Sequence, residues 1–181
     1  MSIDSTRGQL LIAGPTLTDP NFLRTVVLVI EHSEAGALGL VLNRPSETTV
    51  GEVVSELEAL LAPEEPLWVG GPVAPSALIV LAEFAQPDDA ALIAFADIGV
   101  LASESEDGPP EIRRGRAFVG HAGWGPGQLD AELESGDWFV EPALREDAFT
   151  ERPEDLWADV LTRMGGHYAL VARMPLDPSV N

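Results

Sequence analysis

This chain of 181 residues has no cysteine, no lysine and no apolar run approaching the ~18 residues that a membrane-spanning helix needs. The missing cysteine excludes disulfides, thiolate nucleophiles, iron–sulfur clusters and thiolate zinc sites together. Residues Met1 to Leu10 lack the basic start and apolar stretch of a secretory signal, so a cytoplasmic protein without membrane contact is the expectation. Two catalytic signatures are missing as well. There is no Gly-x-Ser-x-Gly elbow, and the three histidines His32, His121 and His167 form no His-x-x-x-His or Glu-x-x-His pair. Neither a metal nor a cofactor is implied.

With ten arginines against 30 acidic residues, the formal net charge is −20. A field of that sign repels phosphate backbones, so direct nucleic-acid binding would need a local basic patch. The candidate is Arg113, Arg114 and Arg116, which beside Glu111 and the acidic Glu104–Asp107 stretch reads more simply as the solvated edge of a strand. An apolar content of 45% over this length supports one domain, residues 1–181, with a substantial core.

Short apolar runs rich in β-branched residues predict strands at Gln9–Ala13, Thr25–Glu31 and Ala37–Asn43, the last two forming a hairpin. Their near-continuous apolar character predicts a sheet covered on both faces. Further strands are expected at Leu67–Val69, Ala77–Leu81, Ala91–Phe95, Arg116–Gly120 and Trp138–Val140, and the tail His167–Val171 reads as extended. The spacing of Val50, Val53, Val54, Leu57, Leu60 and Leu61 predicts a helix from Thr49 to Leu61, with a Thr49/Glu52 capping box and a stop at Pro63. A short helix is expected over Gln128–Glu134, and a longer one from Pro153 to Met164 ended by Gly165-Gly166. The stretch Ser103–Pro110 reads as a mobile loop. Strands and helices mix without βαβ alternation, and no early Gly-x-Gly-x-x-Gly follows a strand, so the class is α+β rather than a doubly wound nucleotide fold.

The stretch from Gly120 to Gln128 is the most distinctive. Gly120, Gly123, Gly125 and Gly127 with Pro126 predict a shaped turn from which His121 and Trp124 project, its backbone N–H groups open to an anion or carbonyl. Trp124 either plugs that turn onto the sheet or presents a binding face. Asn43-Arg44-Pro45 is a second candidate: an arginine held between a strand end and a proline offers a fork to a carboxylate or phosphate, unless it simply pairs with a neighbouring acid. Gly70-Gly71-Pro72 reads as a tight bend. Trp68, Trp138 and Trp157 read as core. His32 between Glu31 and Ser33 suggests a triad only superficially, because neighbours on a strand face opposite sides; a strand-end histidine bonding a turn is the simpler reading.

Taken in order, Gly8–Ala13, Asp19-Pro-Asn-Phe22, Arg24–Val27, Glu31-His32, Gly36–Pro45, Gly70-Gly-Pro72, Gly120-His-Ala-Gly-Trp124 and Gly127-Gln-Leu129 resemble the YqgE/AlgH family of bacterial proteins almost end to end. The resemblance implies a compact α+β domain with a bulged, coiled sheet flanked by helices, in the bacterial cytoplasm. Family members are often labelled transcriptional regulators, and no activity comes with the resemblance. Where this chain has His121, members commonly carry Tyr, which shifts weight from proton transfer to packing or hydrogen bonding at that place.

Three functions follow as expectations. The first is a binding or regulatory module that takes a protein or small ligand between the Gly120–Gln128 segment and the Asn43-Arg44-Pro45 turn, with Asn43, Arg44, Gly120, His121, Gly123, Trp124, Gly127 and Gln128 as binding residues. The alternatives are a hydrolase or transferase acting on an anionic substrate, with His32 or His121 as base and loop N–H groups as an oxyanion hole, and a direct DNA-binding regulator. The pattern leans away from an enzyme.

Overall fold

Residues 5–102 and 106–176 are described by the computed structural model, so part of the Ser103–Pro110 loop reading falls outside the described residues. The described chain holds ten strands: β1 (Gln9–Ala13), β2 (Val26–Ser33), β3 (Gly36–Val41), β4 (Pro45–Thr49), β5 (Pro66–Val69), β6 (Val73–Phe84), β7 (Leu92–Phe95), β8 (Ile98–Val100), β9 (Ile112–Trp124) and β10 (Trp138–Pro142). Between and after them lie five short helices: α1 (Val50–Val53), α2 (Gln128–Glu134), α3 (Arg145–Ala148), α4 (Leu156–Met164) and α5 (Gly166–Val171). The class is α+β. One sheet runs β10-β1-β2-β3-β9-β6-β8-β7, with β5 parallel to β9 and β4 antiparallel to β5. The β2–β3 hairpin forms as expected, with a register shift between Val29 and Glu31. No helix among the described residues is long and apolar enough to cross a membrane.

Alternate residues of the first two strands feed two cores. Leu10, Ile12, Val26 and Leu28 pack with Leu156, Trp157, Val160 and Leu161 of α4, while Leu11, Ala13, Val27 and Val29 pack with Trp124, Leu129 and Trp138. Both faces are therefore covered, which is why these strands read as continuous apolar runs. A third cluster joins Val50, Leu57 and Leu61 to Leu67, Val80 and Ala117. The far end of the sheet coils back toward β2. Arg7 donates to the Ile93 carbonyl, and Gly8 lies against the Ala94 backbone.

Several elements differ from the sequence expectation. The helix over Thr49–Leu61 stops after one turn at Val54 (φ −134°, ψ 83°) and continues as a 3-10 turn over Ser55–Ala59. Its cap holds, with the Thr49 N–H donating to Glu52 Oε2 at 2.7 Å. Val50, Gly51, Val53 and Val54 are weak helix formers, and the Val50 and Gly51 N–H groups are taken by the Glu65 and Pro63 carbonyls. Val53 consequently faces solvent. The tail expected to be extended forms α5, packed through Tyr168 on Phe139 with ring centroids 5.0 Å apart. Strand β8 follows a turn carrying Ala96 at φ 50°, a left-handed position with no glycine to signal it. Helix α3 was likewise not foreseen.

Strand β9 differs most from expectation, since it runs on through Gly120 to Trp124. Much of the expected glycine turn is thus strand. At Phe118 and Val119 its edge pairs with β5, and at Ala122 to Trp124 the pairing has passed to β3. Gly120, at φ 72°, sits at this exchange. There the Gly70-Gly71 bend crosses the strand with backbone touching backbone. A Cβ on Gly70 would come closer than 3.0 Å to the Gly120 carbonyl oxygen, and one on Gly71 would overlap the His121 carbonyl group.

Candidate functional site

The Gly120–Gln128 segment is closed by its own bonds. Trp124 is 7% exposed, and of the two readings left open for it the plug is the one found. Its indole N–H and that of Trp138 both donate to Glu132 Oε2 at 2.8 Å, while the Gln128 amide donates to Oε1 at 3.1 Å. Gln128 Oε1 in turn accepts the Gly125 N–H at 3.0 Å, so that donor is not open to an anion. Of the four glycines only Gly120 and Gly127 have positive φ; Gly123 and Gly125 do not. His121 is half-buried on β9 opposite Val73, and its Nδ1 is buried without a partner among the described residues.

Asn43 is also turned inward. Its Oδ1 accepts the Val26 N–H at 3.1 Å and its Nδ2 donates to the Arg24 carbonyl at 2.9 Å. Arg44 donates from Nη2 to the Leu23 carbonyl at 3.1 Å. Burial lowers its pKa, with Asp19 acting in the opposite sense, so the cation is partly desolvated. A small cleft beside it is lined by Asn21, Val41, Val69, Gly71 and Pro72. The Gly70-Gly71-Pro72 bend therefore lies between the two segments expected to form a groove, touching His121 on one side and the Arg44 cleft on the other.

Around this bend the sheet exposes apolar side chains. Val69, Val119 and Leu78 stand side by side across β5, β9 and β6, with Val69 40% and Leu78 37% exposed. Val73, next to His121, is 42% exposed, and residues 74–77 bulge outward between the Val73 and Leu78 pairings. Sequence reasoning missed this patch, because Leu78 read as an ordinary strand residue and Val73 lay outside every expected element.

The other candidates are occupied. His32 is 8% exposed; its Nδ1 lies 3.1 Å from both the Thr6 N–H nitrogen and Thr6 Oγ1, and its Nε2 3.5 Å from Asp130. An N–H can only donate, so Nδ1 is the acceptor and the proton is assigned to Nε2. The histidine thus ties the N-terminal segment to β2. Arg113, Arg114 and Arg116 lie on an interior strand of the sheet, not at its edge. Arg113 and Arg114 pair with Asp97 and Glu83, which Arg145 also holds at 2.6 and 3.0 Å. Burial works to raise the Asp97 pKa, but hydrogen bonds and the charge of Arg145 bring it below the ordinary value. Arg116 stacks over Trp68 at 4.3 Å and donates to the Thr150 carbonyl; burial brings its pKa down to about 10, so it stays a cation at neutral pH. Trp68, Trp138 and Trp157 are core, as expected.

A family model described as AlgH-like matches residues 10–169. A "UPF0301 protein" of Thermobifida fusca is 42% identical, covering 98% of this chain and 96% of the relative's. One from Streptomyces coelicolor is 39% identical over 99% and 97%. Among solved structures, a Corynebacterium diphtheriae protein seen by crystallography superposes with a TM-score of 0.82 at 32% identity, covering 95% of this chain and 94% of its own. The solution structure of the AlgH protein from Pseudomonas aeruginosa gives 0.70 at 30% identity, covering 97% of each chain.

Proposed function

The chain belongs to the AlgH-like family, and on that premise we propose that it is a binding module that docks a partner protein on the surface around Val69, Pro72, Val73, Leu78 and Arg44. The observation carrying this reading is that Val69, Val73 and Leu78 stand exposed around the half-buried Val119, beside a partly desolvated guanidinium. Contiguous apolar surface rimmed by polar groups is the usual mark of a protein contact. A partner segment with apolar side chains over β5 and β6 and a carboxylate on Arg44 fits that chemistry. Any role in transcription then runs through the partner. The engagement of Arg113, Arg114 and Arg116 within the fold favours this over direct contact with DNA, and the engagement of His32 and of the Gly125 N–H favours it over acyl or phosphoryl transfer.

Trp124 is unsuited to the test, because its removal strikes the core. The informative variant is Val73→Glu with Leu78→Glu, alongside Arg44→Ala. All should keep the native circular dichroism spectrum. In cross-linking from bacterial lysate, a protein joined at β5–β6 in the wild type should be lost from the double variant and reduced roughly 10-fold by Arg44→Ala, in line with losing a charge-assisted contact. Identical capture by the wild type and the folded variants would overturn the proposal.

A further inference from the structure

A separate cleft opens where the turn before β2 meets α4 and the C-terminal segment. It has a cavity volume of about 150 Å³ and apolar walls from Pro15, Leu23, Trp157, Met174 and Leu176. Arg24 is the one charged residue among those lining it, and Thr18 adds a hydroxyl. Cavities of ~150 Å³ with apolar walls take up molecules the size of benzene.

Both main features are held rigidly. The Trp157 indole N–H donates to the Ala13 carbonyl at 2.9 Å, fixing the ring. Arg24 has φ 54°, a left-handed conformation that is strained for a residue bearing a side chain. The surrounding turn enforces it. The Phe22 and Leu23 N–H groups donate to the Asp19 carbonyl, Thr25 donates twice to the Phe22 carbonyl, Asn43 holds the Arg24 carbonyl, and Arg44 the Leu23 carbonyl. So placed, the Arg24 guanidinium lies over the Trp157 ring, 4.5 Å from its centroid. Among the described residues its one hydrogen bond goes to the Met174 carbonyl at 2.5 Å, leaving further N–H donors of the fork for another acceptor. A strained residue that presents a cation at the mouth of an apolar cleft is what recognition of a two-part molecule requires.

We infer that this cleft binds a small monocarboxylate whose compact apolar body lies against Trp157 and whose carboxylate takes the Arg24 fork. Asn43 and Arg44, expected from sequence to touch a ligand, act here as positioning residues for the Arg24 turn. The cleft is distinct from the β5–β6 surface, so the Val73→Glu and Leu78→Glu changes should leave it intact and each proposal can fail alone.

The probe is phenylacetate, followed by NMR of the tryptophan indole N–H signals. A saturable shift of the Trp157 signal is expected, with 2-phenylethanol binding at least about 10-fold more weakly because it cannot use the charge. Arg24→Gly suits the left-handed backbone and should fold, yet weaken phenylacetate binding by about the same factor. Leu176→Glu, at an exposed rim position, should weaken it by repulsion without touching the fold. No saturable shift in the wild type, shifts centred on other tryptophans, or equal binding by folded Arg24→Gly would overturn the inference.

Discussion

Gly71 and Gly125 look alike in the sequence, yet the fold needs only one of them to be glycine. At Gly71 a methyl group would overlap the His121 backbone and φ is 152°, so neither bend nor strand can yield. Gly71→Ala should cost roughly 3 kcal/mol or more in urea unfolding, combining overpacking with backbone strain. At Gly125 the nearest neighbour of an added Cβ is Gln128 Oε1 at 3.9 Å, and Gly125→Ala should change stability by no more than about 0.5 kcal/mol. Equal losses would contradict the interlock at Gly120. That glycines clustered in Gly70-Gly71 and Gly120–Gly127 was legible; that Gly70, Gly71 and Gly120 meet each other was not, because some fifty residues separate the two blocks. Arg24 was hidden for a related reason: a left-handed arginine carries no local signature, and only Asn43 and Arg44, from the connection between β3 and β4, reveal what holds it.

Among the elements, two helices bracketed by glycine were read nearly as they form, whereas the expected Thr49–Leu61 helix breaks at Val54. Helix α2 has its expected bounds, and α4 ends at Gly165 as its terminator predicts, although it begins at Leu156 rather than Pro153. The tail, decided by packing, was misread. His167–Val171 is a five-residue apolar run, and such runs fit helix or strand until a neighbour chooses; Phe139 chooses helix. The clearest test at this scale concerns α2, whose Glu132 takes two indole N–H groups that have no other acceptor among the described residues. Glu132→Ala should destabilise the protein by about 2–4 kcal/mol in denaturant titration, since it strands two buried donors. Glu132→Gln keeps an acceptor oxygen and should lose less than half as much. A smaller loss for Ala than for Gln would show that the carboxylate is not what anchors Trp124 and Trp138.

For the molecule as a whole, −20 is a burden on compactness that charge pairing relieves only locally, among the described residues at Glu83, Asp97 and Asp147 and at the exposed Asp155 and Asp159. Raising ionic strength from about 0.01 to about 0.15 M shortens the screening length roughly fourfold and should raise the melting temperature by about 2–4 °C, equivalent to about 1 kcal/mol. In a gel-shift at low salt, duplex DNA should stay free. A melting point that falls with salt would mean that exposed ion pairs outweigh self-repulsion.

By itself the sequence determined composition-level and short-range matters: no thiol chemistry, a strongly acidic composition, α+β class, strands buried on both faces, both ends of α2 and the end of α4, and family membership through ordered motif blocks. These follow from residue chemistry and from periodicities of two and 3.6, which need no knowledge of distant neighbours. Tertiary structure alone decided what the motifs are for. It turned the first half of the expected glycine turn into strand, spent Trp124, Gln128 and Asn43 on internal bonds, and gathered Val69, Val73 and Leu78 on one surface and Arg24 with Trp157 at another. The reason is physical. A hydrogen bond or an exclusion of Cβ depends on which backbone arrives opposite, and in a coiled sheet that partner comes from far along the chain.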